Sequence, residues 1–287
     1  MTVLLLGSGG QLGTALQATK PDGVALVARD YPEIDLGDAA AIEALVASIS
    51  PRLILNAAAY TAVDKAETES DLAFRINAQG VGALARAADK ASARLIHVST
   101  DYVFDGTKGH PYLPGDTPSP KSAYGASKLA GEREAQAAAR DCLIVRTAWL
   151  YHEVGANFVK TMLRLMASRP EVRVVCDQVG TPTYAGALAQ ALWALAQTGH
   201  RGILHYTDSG VASWYDFACA IQEEALRLGL LEKAVPVVPI ATADYPLPAP
   251  RPVFGVLDKS DTWALLGKPA AHWRHNLRIM LERTKNG

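Results

Sequence analysis

The chain has 287 residues, 49% of them hydrophobic and 20% charged, with a formal net charge of −1. This is the composition of an ordinary cytosolic globular protein without the basic excess a nucleic-acid surface needs; no signal peptide is expected, and the longest nearly apolar run, Ala185 to Ala196, is broken by Gln190 and too short to span a membrane. Cys142, Cys176 and Cys219 are odd in number and widely spaced, which excludes a disulfide framework or a zinc knuckle and fits a reducing, cytoplasmic compartment.

In chain order, short β-branched or leucine-rich runs alternate with longer alanine-rich stretches. Strands are predicted at Thr2–Leu6, Val24–Ala28, Arg52–Asn56, Arg94–Ser99 and Cys142–Thr147. Helices are predicted between them at Gln11–Ala18, Ala39–Ser48, Leu72–Lys90 and Ala123–Ala138. The alternation implies parallel strands with right-handed crossovers and helices on both faces. After about residue 150 the pattern loosens into helices at Asn157–Ala167, Ala185–Gln197 and Trp214–Leu228. The run Val235–Pro252 carries six prolines and is expected as an ordered loop or extended segment. The expected fold is therefore α/β: a Rossmann-type doubly wound parallel sheet with a smaller C-terminal substrate-binding lobe. Residues 1–150 would form the dinucleotide-binding core, and 151–287 a lobe interleaved with the last strands of the sheet.

Gly7-Ser8-Gly9-Gly10-Gln11-Leu12-Gly13 follows the first strand and opens the first helix. Gly7 permits a tight turn, Gly10 lets the backbone approach a pyrophosphate, and the helix N-terminus offers amide donors. Three glycines alone are weak evidence; the strand–turn–helix setting makes this a dinucleotide site. Arg29, at the end of the second strand, suits a 2′-phosphate, so NADPH is expected, with NADH accepted as well. Tyr124 and Lys128 lie four apart and share one helical face. A free tyrosine titrates near 10, and a neighbouring ammonium is expected to bring it closer to working pH as a proton donor. Thr100, at the end of the fourth strand, completes the catalytic set Thr100, Tyr124 and Lys128.

The segments Gly10-Gln11-Leu12-Gly13, Asn56-Ala57-Ala58-Ala59-Tyr60-Thr61-Ala62-Val63, Ser99-Thr100-Asp101-Tyr102, Tyr124-Gly125-Ala126-Ser127-Lys128, Arg146-Thr147-Ala148-Trp149 and Asp177-Gln178-Val179-Gly180-Thr181-Pro182-Thr183 carry a resemblance nearly end to end. The chain resembles the dTDP-4-dehydrorhamnose reductases, of the extended short-chain dehydrogenase/reductase superfamily. That resemblance implies reduction of the C4 ketone of dTDP-4-dehydro-L-rhamnose. It also implies cofactor contacts from Gly7, Gly10, Gln11, Leu12, Arg29, Asp35, Leu36, Ala57, Ala58, Ala59, Tyr124 and Lys128. Val63, Tyr102 and Trp149 would line the sugar, and Arg251 would face the nucleotide diphosphate. Beyond this nucleotide-sugar substrate it leaves room for a homodimer. The glutamate through which some members bridge magnesium is replaced by Ala15, so no metal is expected.

Two competing readings exist. A dehydratase or epimerase of the same superfamily would carry Thr-Asp-Glu where this chain has Thr100-Asp101-Tyr102, lacking the elimination base. A non-catalytic regulatory homologue would have no need of the intact Thr–Tyr–Lys set.

Overall fold

Strands β1 (Thr2–Leu6), β2 (Ala25–Arg29), β3 (Leu53–Asn56), β4 (Arg94–Thr100), β5 (Cys142–Thr147) and β6 (Gly202–His205) make one parallel sheet in the order β6-β5-β4-β3-β1-β2. The computed structural model describes residues 1–286, and Gly287, the end of the expected lobe, lies outside them. Strand β1 pairs with β2 on one side and with β3 on the other, so the chain reverses direction of winding at β1/β3. In sheets of this kind ligands bind beyond the carboxyl ends of the strands at such a switch point.

Both faces of the sheet are covered because the strands carry apolar side chains on both. In β1, Val3 and Leu5 pack with Leu12 and Leu16 of α1 (Gln11–Ala18), and with Leu188 and Leu192 further along the chain. Leu4 and Leu6, pointing the opposite way, pack with Ile42 and Val46 of α2 (Ala39–Ile49) and with Leu84.

The expected helix Leu72–Lys90 is divided. It runs as α3 (Ser70–Phe74), a π turn over Arg75–Gly80 and α4 (Val81–Lys90). The π turn lies where residues distant in the chain meet it. Asn77 accepts from the Tyr60 amide and donates to the Tyr60 carbonyl and to Ser127 Oγ. Its backbone approaches α5 (Ala123–Ala138) so closely that a Cβ on Gly131 would lie 1.9 Å from the Asn77 carbonyl oxygen. Hydrophobic periodicity has no means of registering a π turn, and such turns recur at functional sites.

Beyond residue 150, α6 (Phe158–Ser168) leads into a third core, while α7 (Ala185–Leu195) returns to the sheet beside α1. The third core gathers Met162, Phe217, Ile221, Leu277 and Met280 from α6, α8 (Trp214–Leu228) and α10 (Trp273–Asn286). The short α9 (Ser260–Leu266) lies between them in the chain. Part of the proline-rich run forms a strand, Val237–Ile240, pairing in parallel with Val172–Val175. Among the described residues no helix is long and apolar enough to cross a membrane.

Candidate active site

The glycine turn is built by close backbone contacts. Gly7 has φ +80°, and the amides of Gly7 and Ser8 donate to the Arg29 carbonyl at 3.0 and 3.3 Å. A Cβ on Gly7 would lie 2.6 Å from the Ala58 amide nitrogen, and one on Gly13 would lie 2.0 Å from the Gly7 carbonyl oxygen. Gly10 caps α1 with no side-chain hydrogen bond to its first amides. Those amides remain available to an anion at the helix N-terminus, which is the fit a dinucleotide pyrophosphate requires.

The turn opens into a cleft of about 640 Å³ lined by Gly7, Gly10, Gln11 and Leu12, by Asp35 and Leu36, and by Ala57, Ala58 and Ala59. Arg29 does not line it. Strand β2 runs one residue further than expected, so Arg29 still belongs to the strand and Asp30 is the first residue beyond. The Arg29 guanidinium turns back to the Ala28 carbonyl at 2.8 Å, with Glu33 at 3.8 Å. Asp30 lines the cleft instead, its carboxylate accepting from the Gly9 amide at 2.7 Å.

Thr100, Tyr124 and Lys128 come together at the far end of the same cleft. Thr100 ends β4; its Oγ1 donates to Asp101 Oδ1 at 3.0 Å and accepts from the Tyr102 amide. Helix α5, capped by Ser122 through the Gly125 amide, presents Tyr124 and Lys128 one turn apart. Lys128 Nζ donates to the Val98 carbonyl at 2.7 Å and lies 3.4 Å from His97 Nε2.

Burial governs the proton affinities here. It pushes Lys128 down to about 8, opposed by Glu132. It pushes Tyr124 up to about 12, opposed by the Thr100 hydroxyl, so burial outweighs the expected pull of the ammonium. Tyr124 therefore rests as the phenol, the form a proton donor needs. Asp101 is raised by burial to about 7. One turn beyond Lys128, Glu132 takes a bidentate grip from Arg146 of β5 at 2.9 and 2.6 Å, both side chains 1% exposed.

Val63, Tyr102 and Trp149 line the cleft beside Tyr124, and the Tyr102 and Tyr124 rings meet edge to face at 5.5 Å. Trp149 has φ +48° and stacks on Trp214 at 3.5 Å, 9° from parallel. Such a backbone is sparsely populated for a bulky residue and persists only where its surroundings enforce it. Here Gly180 admits the indole, since a Cβ there would lie 2.7 Å from the ring.

On the other side of this tryptophan pair is a second cleft of about 790 Å³, sharing Tyr102 and lined by Arg251, Arg164, Arg169, Arg173 and Trp214. Arg251 holds Asp64 in a bidentate pair at 2.8 and 2.8 Å, which keeps the Asp64 carboxyl below its usual range. Among the described residues no group of three His, Cys, Asp or Glu side chains could hold a metal ion.

Sequence reasoning passed over Asn77, His97, Asp101 and, in the second cleft, Arg164, Arg169 and Arg173, while Arg251 lies where it was expected to face a ligand. For His97 a signal existed, namely a titratable side chain inside the otherwise apolar run Leu95–Val98. Arg164 sits on α6 and Arg173 on the strand Val172–Val175, with Arg169 between them, and only the fold turns all three into one cleft.

The family described as RmlD substrate binding domain matches residues 1–286. The chain is 41% identical over 284 residues to the dTDP-4-dehydrorhamnose reductase of Aggregatibacter actinomycetemcomitans, covering 96% of this chain and 97% of that protein. A crystal structure of a dTDP-4-dehydrorhamnose reductase from Clostridium acetobutylicum ATCC 824 has a TM-score of 0.93 at 38% identity, covering 99% of both chains. One from Bacillus anthracis str. Ames, in complex with NADP, has a TM-score of 0.92 at 36% identity, covering 98% of this chain and 99% of that one.

Proposed function

This chain belongs to the RmlD substrate binding domain family, and from that premise we propose that it is an NADPH-dependent oxidoreductase that reduces the C4 ketone of dTDP-4-dehydro-L-rhamnose to dTDP-L-rhamnose. One observation carries the reading. A dinucleotide cleft ending on Thr100, Tyr124 and Lys128 adjoins an arginine-lined cleft across Tyr102 and the Trp149–Trp214 stack.

NADPH supplies the hydride when bound, held by the glycine turn, by Asp35 and Leu36, and by the Ala57–Ala59 segment. The protein's own groups handle position and proton. Tyr124, protonated at neutral pH, donates its phenolic proton to the alkoxide oxygen as it develops. Thr100 orients that oxygen, and Lys128, anchored on the Val98 carbonyl, supplies positive charge beside the phenol as it loses its proton. Val63, Tyr102 and Trp149 hold the sugar, and Arg251 with its neighbouring arginines holds the nucleotide diphosphate. Binding energy gathered in the remote arginine cleft serves to orient C4. The three free cysteines, including the exposed Cys176, support a cytoplasmic location.

Tyr102, at the position of a dehydratase acid, lies edge-on to Tyr124 and offers no carboxylate for elimination. The test couples a dTDP-glucose dehydratase and a 3,5-epimerase to this protein with NADPH and identifies the product by NMR. Appearance of dTDP-L-rhamnose is expected, together with a loss of about 10²- to 10⁴-fold in rate for Tyr124→Phe at nearly unchanged NADPH affinity. Absence of the rhamnose nucleotide, with another 4-keto sugar nucleotide consumed efficiently, would overturn the named substrate.

A further inference from the structure

Strands β3 and β4 pair so that Asn56 stands opposite His97, both fully enclosed, directly behind Lys128. The orientation of the Asn56 amide is fixed by a third group. The Ala58 amide donates to Asn56 Oδ1 at 3.2 Å, which leaves Nδ2 facing the imidazole at 3.0 Å from His97 Nδ1. An N–H donor facing Nδ1 makes that nitrogen the acceptor. The proton of a neutral imidazole must then sit on Nε2. Burial and the nearby Lys128 keep His97 neutral, holding its proton affinity well below the usual range.

Nε2–H therefore faces Lys128 Nζ at 3.4 Å. Against an ammonium this is donor against donor, whereas against an uncharged amine it is a hydrogen bond to the lone pair. The remaining groups around the lysine are accounted for. Glu132, on the same helix, favours the ammonium but is neutralised by Arg146 of β5. Asp101, beyond the end of β4, is buried, and Tyr124 rests as the phenol.

We propose that His97, locked by Asn56 in its Nε2–H tautomer, is a positioning residue that weakens the hold of Lys128 on its proton and so sets the alkaline limit of the reaction. The inference rests on the reductase reading, since it concerns the lysine beside that reaction's proton donor. It assigns Asn56 and His97 a role beyond filling the sheet.

Histidine ¹⁵N NMR on the whole protein reads the tautomer directly, and ¹³Cε shifts of labelled lysine, assigned with Lys128→Arg, read the titration. Neither needs substrate. In the wild type the Nε2–H tautomer is expected, with the reductase rate falling as pH rises past about 8.

Asn56→Leu and Asn56→Asp both remove the Nδ2 donor and free the imidazole to turn its Nε2 lone pair to the ammonium. Both should raise the Lys128 titration and the alkaline limb together, by half a pH unit or more. A purely electrostatic effect would move only the Asp variant, and a merely structural one would lower the rate without moving the limb. Either result overturns the proposal, as does an Nδ1–H tautomer in the wild type, which needs no variant to fold. If the NMR results hold while no 4-keto sugar nucleotide is turned over, the reductase reading alone fails.

Discussion

Glu132→Gln removes one end of the most enclosed ion pair in the protein and leaves the other in place. Arg146 and Glu132 are each 1% exposed and joined by two hydrogen bonds, with Arg146 also lying 5.0 Å over the Phe104 ring and 3.3 Å from the Pro114 carbonyl. Breaking such a pair costs about 3–5 kcal/mol, because the surviving charge is stranded away from water. A chain of this length loses about 0.6 kcal/mol of stability per degree near its melting point, so the melting temperature should fall by about 5–8 °C.

Two further readouts separate this cause from simple loss of packing. Arg146→Met leaves a carboxylate that can take up a proton. With its affinity raised above the unfolded value, that variant's deficit shrinks as pH falls toward 5. The deficit of Glu132→Gln stays constant there, because a guanidinium keeps its proton. The double variant Glu132→Met/Arg146→Met should recover most of the loss. Thermal and urea unfolding followed by tryptophan fluorescence give all three. A single-variant loss under about 1 kcal/mol, or a double variant no better than either single one, refutes the argument.

Gly13→Ala places a methyl group 2.0 Å from the Gly7 carbonyl oxygen, so the turn must open; NADPH affinity measured by fluorescence titration should drop at least about tenfold, the equivalent of the lower end of overpacking costs. With its guanidinium turned back to the Ala28 carbonyl, Arg29→Ala should leave the NADPH and NADH affinities nearly unchanged, whereas Asp30→Asn, which removes a carboxylate from the cleft, should favour NADPH over NADH; a selective loss of NADPH in Arg29→Ala would show that the guanidinium meets the 2′-phosphate after all. Burial raises the Asp208 carboxyl to about 7, so its contribution to stability is present at low pH and is lost as pH rises from about 4 to about 7. Asp208→Asn cannot ionise and should gain in melting temperature relative to the wild type between pH 5 and pH 8, whereas a constant difference would contradict the assignment.

The first five strands of the sheet and the meeting of Thr100, Tyr124 and Lys128 were legible in the sequence because each leaves a local mark, whereas the short edge strand β6 was not. Apolar β1 and β3–β5 announce themselves by composition, and Tyr124 and Lys128 by helical spacing. What escaped is decided by tertiary contact. Arg29 sits at the end of β2, and a one-residue difference in where that strand stops turned its guanidinium back along the backbone and left Asp30 at the cleft. The π turn at Asn77 exists because α5 approaches it at Gly131, some fifty residues away in the chain. The expected effect of Lys128 on Tyr124 followed from charge alone, whereas burial of the phenol dominates. Sequence spacing says which groups are neighbours but not how much water surrounds them.

The last strand of the sheet has a consequence for biosynthesis. Edge strand β6 pairs with β5, and the chain between them must first pass through α6 and α7. At roughly 5–20 residues per second, β5 waits several seconds on the ribosome with its apolar flank uncovered, about 55 residues ahead of its partner. The wait is longer for the site itself, since Gly7 and Arg251 are separated by roughly 12–50 s of translation at that rate. A nascent chain halted before β6 would thus present an open parallel edge to chaperones and to other nascent chains, and the two clefts would form only after nearly the whole polypeptide had been made.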